Sequence, residues 1–203
     1  MRVLVACEFS GIVRDAFRAR GHDAWSCDLE PSDADPQWHI QGDVTPVLTQ
    51  GWDMMIAHPP CTHLSVSGAR WFPEKRADGR QQDAMAFFML LANAPIPRIA
   101  VENPIGIMSS HWREPDQVLQ PWHFGHPEFK ATCLWLKGLP ILQATHRLRP
   151  PIRGDANWNA WNRVHKCPPG PERAKLRSWR YPLIAAAMAD QWPYDDLLLR
   201  VSA

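Results

Sequence analysis

Several features that often identify a class of protein are missing from this sequence. It has no pair of cysteines in C-x-x-C spacing, and its five cysteines are odd in number and widely separated. A disulfide framework and a structural zinc site are therefore not expected. An apolar stretch without charge, residues 84–97, has 14 positions and two prolines, whereas a membrane-spanning helix needs about 20 apolar residues. Because Glu8 interrupts the first apolar run, no signal peptide is expected. These absences predict a reduced, cytoplasmic protein with neither a metal nor a membrane segment.

An excess of charge of either sign is also missing, since 22 Lys and Arg oppose 21 Asp and Glu for a net charge of +1. Tyrosine occurs twice, whereas tryptophan occurs 11 times and proline 20 times. This proline count is about double the usual ~5% share and predicts rigid loops with few long helices. With 203 residues, 45% of them hydrophobic, the chain suits one globular domain.

Short apolar runs alternate with helical patterns along the first half of the chain. This alternation predicts an α/β fold built on an open, mostly parallel sheet with flanking helices. Ligands of such sheets bind beyond the carboxyl ends of the strands, so chemistry is expected just after each strand. Strands are predicted at 3–7, 24–27, 39–40, 54–57 and 99–101, with more within 121–142, and helices from Gly11 to Gly21, at 81–92 and at 181–191.

The residues after the first two strands indicate a nucleoside-binding site. Asp28 ends the second strand, where an acid accepts hydrogen bonds from ribose hydroxyls in nucleotide-binding α/β folds. The loop after the first strand has one glycine and no G-x-G-x-x-G pattern, which disfavours a diphosphate cofactor. A cofactor with adenosine and no pyrophosphate fits better. Alternatively, Asp28 is an ordinary surface residue at a strand end.

Two further strand ends carry candidate catalytic groups. Cys61 follows two prolines, which would hold its thiol at a fixed position, as a nucleophile requires. Glu102 directly follows an apolar strand, where partial desolvation would raise its pKa and suit it to general acid catalysis. The alternatives are that Cys61 is a small buried apolar residue and that Glu102 caps a loop or helix.

The segment 145–180 is basic and rich in tryptophan. It contains nine Lys and Arg against two acids, a net charge of +7, so the rest of the chain carries −6. Charge mixed with stacking surfaces suits nucleic acid, through phosphate contacts and base stacking. Alternatively, the segment is a solvated loop whose tryptophans pack on the core.

Taken in order, these signals resemble the cytosine-5 DNA methyltransferase family, especially its short phage-type members. The resemblance covers nearly the whole chain. It rests on Phe9-Ser10-Gly11, Asp28, Gly42-Asp43-Val44-Thr45, the segment PPCTHLSVSG at 59–68, Glu102-Asn103, Phe124-Gly125-His126-Pro127 and the last helical segment at 181–191.

This resemblance implies a Rossmann-like methyltransferase fold over residues 1–203 as a single domain, with S-adenosylmethionine as the cofactor. Phe9 would line the adenine pocket, Asp28 would hold the ribose hydroxyls, and Asp43 would bond the adenine amino group. The implied cofactor contacts are Phe9, Ser10, Gly11, Ile12, Asp28, Leu29, Asp43, Val44 and Pro60.

The resemblance also implies methyl transfer to C5 of cytosine in DNA. Cys61 would add to C6 of the base, Glu102 would protonate N3, and Asn103 would order the Cys61 loop. Lys130 stands where the family has one of two strand arginines, and Thr132 stands at the other. The implied contacts with nucleic acid are Ser65, Arg163 and Lys166.

The chain departs from the family pattern in the part that reads the substrate. Family members have a large target-recognition domain where this chain has the basic segment 145–180. Two alternatives therefore stand beside DNA methylation. One is the same chemistry on RNA or a free pyrimidine nucleotide, and the other is a non-catalytic subunit that binds S-adenosylmethionine or nucleic acid.

Overall fold

The computed structural model describes residues 1–168 and 181–193. Over these residues one seven-stranded sheet has the order β3-β2-β1-β4-β5-β7-β6. The strands are β1 (Arg2–Ala6), β2 (Asp23–Asp28), β3 (His39–Gln41), β4 (Met54–Ala57), β5 (Arg98–Pro104), β6 (Gln117–Leu119) and β7 (Thr132–Lys137). The helices are α1 (Ile12–Arg18), α2 (Phe72–Ala77), α3 (Arg80–Ala92), α4 (Met108–His111), α5 (Trp158–Trp161), α6 (Arg163–Lys166) and α7 (Pro182–Gln191).

The sheet confirms the predicted Rossmann-like α/β architecture. Strands β1 to β5 run parallel to one another, and β7 runs antiparallel to both β5 and β6. The dinucleotide-binding order 3-2-1-4-5-6 is therefore interrupted by an antiparallel strand between β5 and β6. All four residues of β4 are buried, as expected of a central parallel strand covered on both faces.

Helices cover the two faces of the sheet with separate apolar clusters. On one face, Phe88 and Leu91 of α3 pack in a cluster that contains Met55 of β4. On the other face, Phe17 of α1 and Ile184 of α7 belong to a second cluster, and these two helices pack against each other. The protein thus has three layers, helix, sheet and helix. No helix within the described ranges is both long and apolar enough to cross a membrane.

The predicted elements lie close to the observed ones, with some omissions. The last predicted helix corresponds to α7, and the predicted strand at 54–57 coincides with β4. Helix α1 ends at Arg18, three positions before the predicted end at Gly21. The three-residue strand β6 and the short helices α2, α4, α5 and α6 were not predicted.

The strand register brings the predicted functional residues to one edge of the sheet. Ala6 of β1 pairs with Cys27 of β2 and Ala57 of β4, and Ala57 pairs with Val101 of β5. These four strands therefore reach their carboxyl ends in one row. The residues that follow this row are Cys7, Asp28, His58 and Glu102.

Candidate functional site

A cleft of about 420 Å³, open to solvent, lies beyond the carboxyl ends of β4 and β5. Its apolar walls come from α1, β6, β7 and α7, and its polar groups come from strand ends and the neighbouring loops. Such a combination of an apolar wall and a few convergent polar groups is typical of ligand sites. The polar lining residues are His58, Glu102, Lys130, Thr132 and Tyr181.

Glu102 and His58 form a buried pair at the floor of this cleft. Nδ1 of His58 is 3.0 Å from Oε2 of Glu102, and their side chains are 3% and 14% exposed. The two residues follow the paired positions Ala57 and Val101 on adjacent strands. The imidazole therefore holds one carboxylate oxygen in place.

Cys61 lies half-buried in the loop after β4, and this loop is tied to β5. Nδ2 of Asn103 donates a 2.9 Å hydrogen bond to the carbonyl oxygen of Pro59. Because Asn103 directly follows Glu102, one strand end fixes both the carboxylate and the backbone two residues before the thiol. The two predicted catalytic groups are thus held by adjacent strands.

Two further side chains fasten the backbone just after Cys61. Nζ of the buried Lys75 donates to the carbonyl oxygen of Thr62 at 2.6 Å, and Nε2 of Gln81 donates to that of His63 at 3.0 Å. Burial, followed by the charge of Lys75, lowers the pKa of His63. Sequence reasoning did not single out Lys75 or Gln81, because their role depends on how α2 and α3 pack on the loop.

Ser65 is buried and serves the local fold. Its Oγ accepts a 3.3 Å hydrogen bond from the backbone N–H of Ser67 and caps the short 3-10 helix Val66–Trp71, a usual role for serine. Ser65 also forms an isolated antiparallel bridge with Gly106. Its contact with nucleic acid stays a prediction.

Two other cysteines differ from Cys61 in environment. Burial, helped by the charges of Asp28 and Asp43, raises the pKa of Cys27 to about 11. Burial, helped by the charge of Glu102, raises the pKa of Cys133 to about 11. Both thiols stay protonated at neutral pH, so neither is suited to nucleophilic attack.

The loop after β1 is closed by an internal carboxylate. Glu8 is buried, and its carboxylate accepts hydrogen bonds from the backbone N–H groups of Val13 at 2.8 Å and Arg14 at 3.3 Å. It also accepts one from the hydroxyl of Ser10 at 3.0 Å, and that hydroxyl accepts one from the N–H of Ile12. The first turn of α1 is therefore already bonded to an anion. A pyrophosphate, which binds such turns in dinucleotide enzymes, would have to displace this carboxylate from the N–H groups of Val13 and Arg14.

Gly11 is required by the protein's own packing. Its φ of +74° suits glycine, and a Cβ at this position would lie 2.6 Å from Nη2 of Arg14 and 2.8 Å from Cβ of Ala34. The guanidinium of Arg14 is completely buried and donates to Oγ of Ser26 at 3.2 Å. No pattern in the sequence around Arg14 indicates that its side chain lies buried beneath the turn.

Asp28 and Asp43 lie near each other at the β2 side of the edge, since both charges act on Cys27. Asp28 is half-buried, and its Oδ1 accepts from the N–H of Glu30 at 3.0 Å. Asp43 is exposed, and its Oδ1 accepts two hydrogen bonds from Thr45, which lower the pKa of Asp43. Two side-chain acceptors thus lie at this end of the sheet edge, and their binding of a nucleoside stays a prediction.

The remaining predicted cofactor residues differ in exposure. Phe9 is half-buried, and its carbonyl oxygen accepts from the N–H of Asp33 at 2.8 Å. Leu29 is 73% exposed, and Val44 is buried in the core cluster of the α3 face. Pro60 is exposed on the Cys61 loop. Phe9, Leu29 and Pro60 can therefore reach a ligand at this edge, whereas Val44 mainly packs inward.

A buried acid that sequence reasoning missed, Glu128, lies behind Tyr181 of the cleft. The hydroxyl of Tyr181 donates a 2.6 Å hydrogen bond to Glu128, and Nη2 of Arg163 lies 2.9 Å from the other carboxylate oxygen. Burial, followed by this hydrogen bond, holds the pKa of Tyr181 far above its usual value. One sequence signal existed, since Glu128 is the only acid between Asp116 and Asp155.

Lys130 lies in the cleft beside this network. Its Nζ is 5.5 Å from the ring centroid of Tyr181, within the range of a cation–π contact. Thr132, the residue at the second arginine position of the resembled family, also lines the cleft. Both positions therefore face the same space as Glu102.

Within the described part of the basic segment, the helices α5 and α6 pack on the protein. Trp158 and Trp161 lie 5.2 and 5.4 Å from the ring of Phe129, and Trp161 is buried. Arg163 pairs with Glu128, and Nζ of Lys166 donates to Oδ1 of Asn159. The predicted nucleic-acid contacts of Arg163 and Lys166 stay predictions. Trp179 and the basic residues from Arg173 onward lie outside the described residues.

Within residues 1–168 and 181–193, no group of three or more His, Cys, Asp or Glu side chains could hold a metal ion.

No protein-family model matches the sequence, and no curated protein matches it. Two solved structures from Escherichia coli are similar to the chain. One is described as a DNA modification methyltransferase encoded within a prophage, with 19% identity over 78% of this chain and 54% of its own, and a TM-score of 0.46.

The second is an rRNA methylase, with 19% identity over 67% of this chain and 56% of its own, and a TM-score of 0.38. The chain spans little more than half the length of either protein. Likenesses at this level carry no inference about activity, which has to come from the site.

Proposed function

We propose that this protein transfers a methyl group from S-adenosylmethionine to C5 of cytosine in DNA, through a covalent bond between Cys61 and C6. The observation that carries the proposal is the hydrogen bond from Asn103 to the carbonyl of Pro59. It holds the loop of a candidate nucleophile against the strand end that presents Glu102 to the cleft. A binding protein would need neither group in this arrangement.

The residues at the β1 and β2 ends fit S-adenosylmethionine better than a dinucleotide. Asp28 and Asp43 are acceptors for ribose hydroxyls and an adenine amino group, and Phe9, Leu29 and Pro60 offer apolar surface. The Glu8 carboxylate occupies the donors that a pyrophosphate would need, and its negative charge favours a cationic ligand. When bound, S-adenosylmethionine supplies the methyl group from its sulfonium.

Glu102 lines the cleft and Cys61 lies on the loop tied to the same strand end, and we assign them the two roles that this chemistry requires. The Cys61 thiolate adds to C6 of cytosine, the C5=C6 electron pair shifts through the ring to N3, and Glu102 donates its proton to N3. C5 then carries enough electron density to accept the methyl group. Loss of the C5 proton to a base restores the double bond and expels the thiolate.

The substrate must present a single base to the cleft. A cytosine in duplex DNA has to leave the stack before any side chain can reach C6. Lys130, close to Tyr181 and on the same cleft as Glu102, supplies a positive charge toward the base or its phosphate. We propose that the basic segment 145–180 takes the place of a target-recognition domain within a single domain.

The test is methyl transfer from labelled S-adenosylmethionine to DNA, RNA and cytidine nucleotides in parallel. The wild type should label DNA, and DNA with 5-fluorocytosine should trap a covalent adduct, since fluorine cannot leave as the proton does. Cys61→Ser should abolish both labelling and adduct while cofactor binding persists. Cys27→Ser, at a buried cysteine outside the cleft, is the matched control and should keep both.

Three outcomes would contradict the proposal. An active Cys61→Ser variant without an adduct would remove the covalent mechanism. Efficient labelling of RNA or a free nucleotide beside unlabelled DNA would reassign the substrate. Tight cofactor binding with no transfer to any of the three would favour a non-catalytic subunit.

A further inference from the structure

We propose that His58 is the positioning residue of Glu102, donating its Nδ1–H to Oε2 so that the other carboxylate oxygen faces the base. This inference rests on the proposed function and deepens it. It adds a residue to which the sequence analysis gave no role.

The backbone fixes this pair before any ligand arrives. The N–H of His58 donates to the carbonyl of Ala6 at 2.9 Å, which extends the pairing of β4 with β1. Glu102 lies within β5 and pairs with Leu134 of β7. Both backbones are therefore held by sheet hydrogen bonds. The 3.0 Å contact between Nδ1 and Oε2 joins two side chains that have little freedom to separate.

The burial of the pair makes its hydrogen bond strong. His58 is 3% exposed and Glu102 is 14% exposed, so water competes weakly for either group. A hydrogen bond to an ionised carboxylate is stronger than one between neutral groups, and it favours the ionised form. An imidazole that donates through Nδ1 therefore stabilises Glu102 after it has given up a proton.

Other titratable groups face the pair from each neighbouring element. Lys130 and Tyr181 line the same cleft, and Glu128 lies behind Tyr181. Burial, helped by the charge of Glu102, raises the pKa of Cys133 of β7, which therefore stays a thiol at neutral pH. Cys7 and Glu8 follow β1 on the other side, where Glu8 is bonded to α1. Among these groups, His58 contacts Glu102 at hydrogen-bond distance through Nδ1.

The proton step balances with His58 as a neutral donor throughout. The thiolate of Cys61 forms the bond to C6, the ring electron pair moves to N3, and the O–H proton of Glu102 forms the N3–H bond. Glu102 is left as a carboxylate whose Oε2 still accepts from Nδ1–H. When the thiolate leaves, N3 returns the proton to Glu102 and His58 is unchanged.

The sign of the expected pH effect follows from this step. Transfer needs protonated Glu102, so the rate falls as pH rises through the pKa of Glu102 in the substrate complex. Loss of the Nδ1–H donor disfavours the carboxylate and raises that pKa. In the pH–rate profile of methyl transfer, the falling limb should then move to higher pH. The plateau rate below it should drop, because a Glu102 with a higher pKa gives up its proton less readily.

The test compares His58→Asn with His58→Leu. The amide nitrogen of asparagine can occupy the position of Nδ1 and donate without titrating, whereas leucine removes the donor and fills the space. Against wild type, His58→Asn should keep kcat within about tenfold and keep the falling limb. His58→Leu should lose at least about a hundredfold in kcat, the scale of general acid catalysis, with the limb shifted upward. KM for S-adenosylmethionine should change in neither.

His111→Leu, on the exposed end of α4, is the control for replacing a histidine and should match wild type. Equal losses in His58→Asn and His58→Leu, with an unshifted pH profile, would reduce His58 to a packing residue and overturn the inference. Nitrogen NMR of labelled histidine tests whether Nδ1 of His58 carries a proton. This test does not depend on activity or on whether His58→Leu folds. It should find Nδ1 protonated in the wild type and perturbed in Glu102→Gln, and an unprotonated Nδ1 would overturn the inference.

The proposed function and this inference fail in different experiments. A wild type that labels none of the three substrates removes the function, and with it any catalytic role for His58. A wild type that labels DNA and forms the adduct, beside His58→Leu with unchanged kcat and pH profile, removes the inference alone.

Discussion

Three buried or half-buried carboxylates at the sheet edge are each held by a different kind of donor. Glu8 is bonded to the backbone N–H groups of α1, Glu102 to the imidazole of His58, and Glu128 to the hydroxyl of Tyr181. The donors decide what each acid can do. Glu8 is bonded to a helix turn inside the protein, whereas Glu102 lines the cleft.

Asp28 is the single residue on which the proposed cofactor site depends most. We expect Asp28→Ala to weaken binding of S-adenosylmethionine by about 1.5–3 kcal/mol, the scale of lost hydrogen bonds to a charged group. Isothermal titration calorimetry measures this change, and Asp23→Ala at the exposed start of β2 is the control. Equal affinity of Asp28→Ala and wild type would remove Asp28 from the cofactor site.

Tyr181 gives a pH dependence whose sign can be stated. Its pKa in the folded protein lies well above the ordinary value of about 10, so the folded state keeps a proton that the unfolded state loses. This contribution to stability is complete below pH 10 and is lost as pH rises from there. We expect Tyr181→Phe to lack this alkaline loss.

Urea unfolding of wild type and Tyr181→Phe at pH 8 and at pH 10.5 measures the difference, since other titrating groups are common to both proteins. In a Tyr194→Phe background Tyr181 is the only tyrosine, so its ionisation can also be followed by ultraviolet absorption. Parallel pH dependence in the two proteins, or ionisation of Tyr181 near pH 10, would contradict the expectation.

At the scale of elements, the Cys61 loop and the segment after β5 form one paired unit. The N–H of Val66 donates to the carbonyl of Ile105, and the N–H of Ile107 donates to that of Leu64. A Cβ at Gly106 would lie 2.3 Å from the carbonyl oxygen of Leu64. The close approach of the two backbones therefore needs glycine at this position.

Gly106→Ala should force these two segments apart. We expect a loss of about 1–3 kcal/mol in stability, the scale of overpacking, and a larger fall in adduct formation than in cofactor binding. Thermal unfolding and 5-fluorocytosine trapping measure the two effects. Ser109→Ala on the nearby α4 is the control. Unchanged trapping in Gly106→Ala would separate the loop pairing from the chemistry.

The elements show what the sequence could and could not predict. Strands such as β4 were predictable because a continuous apolar run between turns has few other places in a soluble fold. The row of strand ends followed, since parallel strands finish at one edge, and it brought Glu102 toward the Cys61 loop. The three-residue strand β6 has no comparable pattern, because its extended conformation depends on pairing with β7.

Contacts across long chain separations were beyond sequence reasoning. Tyr181 and Glu128 are 53 positions apart, and their hydrogen bond depends on how α7 docks. The same holds for the ion pair between Arg163 and Glu128, while the contact of Arg163 with nucleic acid stays a prediction. The neighbours of a basic residue in sequence do not show whether the folded chain places an acidic side chain next to it.

At the scale of the whole molecule, charge is unevenly distributed along the chain, with +7 on residues 145–180 and −6 elsewhere. A polymer that meets several phosphates gives steep salt dependence, with log K falling by about 0.9 per phosphate neutralised on duplex DNA. We expect DNA binding to follow such a slope and Lys166→Ala to reduce it by about one unit.

Arg163→Ala should act differently, because it leaves the buried Glu128 with one partner fewer. We expect this variant to lose stability, with a smaller change in the salt slope than Lys166→Ala. Filter binding over a salt series and urea unfolding measure the two quantities. A flat salt dependence in the wild type, beside methylation of a free nucleotide, would contradict binding to DNA.

The contact between α1 and α7 also determines when the protein can fold during synthesis. Arg20, two positions after α1, pairs with Asp190 of α7 across 170 residues of chain. At about 5–20 residues per second, a ribosome needs on the order of 10 s or more to make that stretch. Until then the apolar face of β1 that carries Val3 and Val5 lacks its cover from α7. The apolar side chains on this face of the nascent sheet therefore stay accessible to other molecules until α7 has been made.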